Sequence, residues 1–163
     1  METFTPLTAI VDGISLKLNE IFGDEYTIYS EDVKQGLSRP CFFIKLLNPS
    51  SVIERGLTYI RENTYCIHFF PKSTSEPKAE CYQMLDKLYM ALEYINVDDN
   101  SGRMGEQDAK RATSLIRGVR MLGEIHDGVL QFNVDYNVRV RKIYNPEMMQ
   151  TLESIEFRTK TAR

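Results

Sequence analysis

Cys66 and His68 stand two residues apart in YCIHFF, and in an extended chain that spacing puts a thiol and an imidazole on one face. A thiol beside a base is the minimal arrangement for nucleophilic catalysis. The same pattern also arises from plain packing, because free cysteine is among the most buried residue types. The other histidine, His126, adjoins the turn pair Asp127-Gly128, so a two-histidine metal site would have to draw on distant strands. Cys41, Cys66 and Cys81 are odd in number and widely spaced, which matches neither a disulfide framework nor a CxxC metal site and suits a reducing compartment. Phosphate chemistry has no support: GxxxxGK[ST] is absent, and Gly102-Arg103-Met104-Gly105 lies in a polar stretch without the strand and helix that such a cradle needs. The acid pairs Glu31-Asp32 and Asp98-Asp99 sit among polar residues that offer no apolar setting to raise a pKa, so they read as solvated carboxylates.

The remaining cluster with chemical character is basic. Arg117, Arg120, Arg139, Arg141 and Lys142 fall near the last hairpin with Tyr136 and Tyr144 among them, a composition that could meet nucleic acid or a subunit surface. Residues 1–100 hold nine Lys/Arg against fifteen Asp/Glu, whereas residues 101–163 hold eleven against eight. That polarity can orient neighbours in an assembly, while the net charge of −3 argues against sequence-independent DNA binding as the main role.

The elements that must carry these groups are legible from periodicity. Leu7, Ile10, Val11, Ile14, Leu18, Ile21 and Phe22 recur at helical spacing, with Thr5 as N-cap, Pro6 in the first turn and Gly23 beyond the end. EYTIYS at 25–30 is a short strand, EDVKQGLSRP a polar loop, CFFIKLL at 41–47 a strand, NPSSVIERG a hairpin connection, and residues 57–70 a second strand ending at Pro71. Cys81, Met84, Leu85, Leu88, Leu92 and Ile95 form the stripe of a second helix after Ser75 and Pro77. Residues 98–113 read as an exposed loop. Around Asp127-Gly128, a favoured type I′ pair, two strands follow. Leu130, Phe132, Val134, Tyr136, Val138 and Val140 alternate with Gln131, Asn133, Asp135, Asn137, Arg139 and Arg141, one apolar face and one wet face. The expected architecture is α+β: an antiparallel or mixed sheet with two amphipathic helices on one face, in a single domain over residues 1–144, with 145–163 as a C-terminal arm or tail. At 163 residues two domains would each have a marginal core. No apolar run reaches the roughly 18 residues of a membrane span, and METFTPLTAIVDG carries acid where a signal peptide needs basic residues.

PCFFIKLL at 40–47, YCIHFFPKS at 65–73, ECYQMLDKLYMALEYI at 80–95, HDGVLQFNVDYNVRV at 126–140 and MQTLE at 149–153, in that order, resemble a family of tail terminator (tail completion) proteins from tailed phages and prophages of Gram-positive bacteria. The resemblance implies a structural virion protein without catalysis or cofactor. It implies a homo-hexameric ring that caps the head-proximal end of the tail tube, stops tube polymerisation and offers the surface on which the head and neck dock. Its partners would be further copies of itself, the tube protein, and sheath and neck or connector proteins. DNA would meet it only in passing through the lumen, no membrane is involved, and assembly would take place in the host cytoplasm. Both a contractile tail and a tail-like bacteriocin fit. Two other readings stay open: a head-to-tail connector or neck protein of similar size, and a small enzyme using Cys66 and His68. Arg117, Arg120, Arg139, Arg141 and Lys142 are the expected subunit or lumen interface.

Overall fold

A computed structural model of the chain describes residues 7–30, 36–99 and 112–141. The helix α1 (Leu7–Phe22) ends in a 3-10 turn at Gly23–Glu25 and leads into β1 (Thr27–Tyr29). Two long strands follow, β2 (Cys41–Arg55) and β3 (Thr58–Phe70), then α2 (Pro77–Ala91), β4 (Tyr94–Asp99), β5 (Ala112–Arg117), β6 (Met121–His126), β7 (Val129–Asp135) and β8 (Val138–Arg141). The main sheet runs β1-β2-β3-β7-β6, with β8 also on β3, and only the β1–β2 pair is parallel. β4 and β5 form a separate antiparallel pair that packs on α1. The fold is α+β, with both helices on one face of a mixed sheet, as the periodicity predicts.

Alternation explains the core. Phe42 and Ile44 on β2, Tyr65, Ile67 and Phe69 on β3, and Leu130, Phe132 and Val134 on β7 point to the helices and are buried. Ile10, Ile14 and Leu18 of α1 and Cys81, Met84 and Leu88 of α2 close over them. The rings of Phe22, Tyr26, Phe42 and Phe69 form a cluster with centroids 5.2 to 6.1 Å apart, the separation at which tilted aromatic pairs attract beyond their area burial. α1 can approach β4 closely because residue 13 is glycine: a Cβ there would lie 2.6 Å from the Asn96 carbonyl oxygen.

Several expectations are corrected. NPSSVIERG is strand, not connection: β2 continues to Arg55, and the turn is the two residues Gly56 (φ 55°) and Leu57. Asn48-Pro49, which reads as a break, is a bulge between Leu47 and Ser50, with Asn48 at φ 40° absorbing the irregularity. Ile95 belongs to β4, since α2 stops at Ala91. Ile21 follows the helical period but is 45% exposed, at the rim between the helices. The ends of the expected 98–113 loop are ladder, with Asp98 opposite Thr113 and Asp99 opposite Ala112; residues 100–111 lie outside the described residues, as do Thr5, Pro6 and the 145–163 arm. Asp127 (φ 50°) and Gly128 (φ 75°) form the expected left-handed pair. The long alternating strand is two strands, broken at Tyr136-Asn137.

Candidate functional site

β2 and β3 pair along their whole length but have two environments. From Cys41 to Leu47 β2 lies within the sheet beneath the helices; from Asn48 to Gly56 every residue is exposed. The partner of the distal half is β8, whose residues Arg141, Val140, Arg139 and Val138 face Thr58, Tyr59, Ile60 and Arg61. The break between β7 and β8 is what lets one β3 strand serve both. Asn63 is buried, its amide nitrogen donates to the Tyr136 carbonyl at 3.2 Å, and the Tyr136 N–H donates to the Asn63 carbonyl at 2.9 Å. The Tyr136 hydroxyl donates to the Leu92 carbonyl at 2.6 Å, and burial holds its pKa above the ordinary tyrosine value.

The basic residues do not gather in one place. Arg117 ends β5, its guanidinium 3.1 Å from Glu93 Oε1 and over the Tyr94 ring at 5.6 Å. Arg120 lies between β5 and β6, with Nε 3.0 Å from Asp135 Oδ2. Asp135 holds that connection by three bonds, two from its backbone to Val119 and Arg120 and one from its carboxylate to the Arg120 guanidinium, and its Oδ1 also accepts from Thr64 Oγ1 of β3 at 2.6 Å. Arg139 and Arg141 do come together, on one side of β8. Arg139 reaches across β3 to Glu54 Oε1 at 2.6 Å, and Arg141 has no ion pair among the described residues. With Arg55, Leu57 and Thr58 they line an open depression of about 690 Å³ at the ribbon end. Lys142 lies outside the described residues. The wet face is wet only there: Asn137, Arg139 and Arg141 are exposed, Gln131 and Asn133 half-buried and Asp135 buried, because β6 and β3 flank them.

The Cys66–His68 pair is real geometrically, with Sγ 3.7 Å from Nε2 and 3.9 Å from Nδ1. Its electrostatics oppose nucleophilic chemistry. Cys66 is 3% exposed and burial raises its thiol pKa, against a smaller lowering by Lys45. Burial lowers the His68 pKa, so both groups are held neutral where a thiolate–imidazolium pair needs both charged. His126 faces Glu124 at 3.1 Å on the surface, and among the described residues no three His, Cys, Asp or Glu groups are placed to hold a metal ion. No described helix is long and apolar enough to cross a membrane.

Sequence reasoning misses the residues that make the ribbon end distinctive. Val52 is 53% and Ile53 63% exposed on consecutive positions of β2, hence on opposite faces, and Glu54 supplies the partner for Arg139. The apolar Val-Ile step inside a polar nonapeptide is the signal that could have found them.

No curated protein matches the chain. A family model described as "Phage tail terminator protein" matches residues 9–148, from the first helix through the last described strand and beyond. The chain belongs to the phage tail terminator family, structural proteins of the virion tail that act with other tail proteins.

Proposed function

We propose that the protein caps the head-proximal end of a tail tube as a homo-hexameric ring, stops tube polymerisation and presents the surface on which the neck and head dock. The observation that carries this reading is the family match over residues 9–148, joined to a ribbon whose β2 strand is exposed on both faces along its distal half. A strand whose residues from Asn48 to Arg55 are all exposed, although it is paired, has the form of a part reserved for a partner. A capping ring must imitate a tube subunit on one side and refuse further subunits on the other, and heterologous contacts closing with sixfold symmetry provide that asymmetry.

The partners are further copies of this chain, the tube protein, and sheath and neck or connector proteins; DNA passes through the lumen without base readout, and assembly takes place in the host cytoplasm. No cofactor and no catalytic step is required. Residues 1–144 form one domain, and residues 145–163 act as a docking arm. Arg139 and Arg141, with Arg117, Arg120 and Lys142, contribute to subunit interfaces or the channel wall. Arg141 is the best placed of these, since Arg117, Arg120 and Arg139 are each engaged by a carboxylate of their own chain.

Deleting the gene from the element that carries it and measuring tail lengths by negative-stain electron microscopy tests the reading. Overlong, headless tubes support termination. Normal-length tails beside unattached full heads move the protein to the connector role, and unchanged particles remove both. Deleting residues 145–163 is expected to weaken attachment to the tail without unfolding the domain, and normal capping by the truncated protein would sink the docking arm.

A further inference from the structure

Two exposed apolar features of the chain lie on different elements and carry opposite charge. The first is the ribbon end, where exposed Val52 shares the face of Arg55, Arg139 and Arg141 through the rows Val52–Ile60–Arg139 and Arg55–Thr58–Arg141, while exposed Ile53 lies on the other face. One glutamate, Glu54, opposes the three arginines, leaving a net charge of +2. The second is a cleft of about 440 Å³ between the C-terminal ends of α1 and α2, floored by Ile21, Met90 and Ala91 and edged by Asp86 and Lys87. Met90 is 81% exposed although it sits on a helix whose other face is core, and Ile21, at the end of the α1 stripe, stays 45% exposed in the same cleft. The end of α1 adds Glu20, Asp24 and Glu25, with Lys17 bonded to Glu20 at 3.2 Å, so cleft and flank together carry −2. The carbonyl end of the α1 dipole reinforces that sign.

We propose that the distal end of the β2–β3 ribbon of one copy docks into the α1–α2 cleft of the next copy. Val52, on the arginine face, enters against Ile21 and Met90, while Arg55 and Arg141 meet Asp86 and the acidic end of α1. The occupant is a second copy of this chain because the two surfaces match in chemistry and in sign, an apolar centre with a complementary charged rim. Tip and cleft are different surfaces, so the contact is heterologous: each copy gives a ribbon and receives one, and repetition closes into a ring when the rotation per step allows. The inference rests on the ring-forming role proposed above and names the two surfaces that build it.

The test uses full-length chains carrying Val52→Asp or Met90→Asp, both at exposed positions, with circular dichroism and melting temperature to establish folding and native mass spectrometry to read assembly, alone and on isolated tail tubes. Wild type is expected to give closed rings and each variant a monomer. Mixed in equal amounts, the variants retain one good tip and one good cleft between them, so the expected product is a one-to-one dimer that grows no further. Assembly should also weaken as salt rises. Rings from both variants would overturn the docking while leaving the ring reading intact. Rings from Met90→Asp alone would show that the ribbon docks elsewhere and that the cleft has another occupant, such as this chain's own 142–163 segment. A wild-type protein that stays monomeric even on tubes would overturn the ring and the docking together.

Discussion

One pair of strands serves two purposes, and its halves differ in every physical respect except their pairing. Between Cys41–Leu47 and Thr64–Phe70 the β2–β3 ladder is a core element, with Phe42, Ile44, Tyr65, Ile67 and Phe69 buried under two helices. Beyond the Asn48 bulge the same ladder carries exposed residues on β2 and takes β8 as its neighbour instead of β7. The bulge on β2 and the β7–β8 break face the same stretch of β3, around Glu62 to Thr64. Two irregularities at one level therefore mark where stability ends as the purpose of the sheet and presentation begins. About 1.5 to 3 kcal/mol accompanies each large side chain buried in the proximal half, and the distal half of β2, exposed from Asn48 to Arg55, forgoes that gain.

The contrast is sharpest in mutational cost. Phe42→Ala removes a ring buried at 0% exposure from the aromatic cluster and should lower unfolding free energy by about 3–5 kcal/mol in denaturant titrations. Ile53→Ala, on the same strand, should change it by no more than about 0.5 kcal/mol. Equal costs at the two sites would dissolve the distinction. Tyr136→Phe deletes the hydroxyl bound to the Leu92 carbonyl at the level where the halves meet, and a loss of about 1–2 kcal/mol is expected.

Smaller effects come from the helix-free face of the proximal half. His68 is held neutral by burial, its pKa below the usual value. The unfolded chain therefore binds the proton first, and stability should fall as pH drops below the ordinary histidine value of about 6.5 and continue falling to the lower folded pKa. His68→Gln should flatten that acid limb of the melting-temperature profile. Cys66 should resist alkylation in the native protein and react on unfolding; rapid native labelling would reopen the enzyme reading. Arg120→Ala removes an ion pair whose arginine side chain is 79% exposed, and its cost should not exceed about 1 kcal/mol.

The sequence carries the helices, the Asp127-Gly128 turn and the buried alternation from Leu130 to Tyr136 because each is a local pattern repeated over several residues. The ribbon was hidden for the opposite reason. Asn48-Pro49 and Gly56 are read locally as breakers, and only cross-strand pairing with residues 58–62 turns the segment between them into strand. The β4–β5 pair was hidden likewise, its polar ends masking the buried Ile95 and Val97. The basic set at 117, 120, 139 and 141 was legible as charge but not as place, since proximity in sequence says nothing about which carboxylate of the fold each guanidinium will find.

The most direct measurement returns a ribbon-shortened chain, with residues 48–62 replaced by a tight turn joining Leu47 to Asn63, to particles lacking the gene, and scores tail length by electron microscopy beside a check that the shortened protein folds. A folded protein that leaves overlong tubes is the expected result, because the body is held by the proximal half and capping by the distal half. Tails of normal length would contradict it and return the distal ribbon to a role in the fold alone.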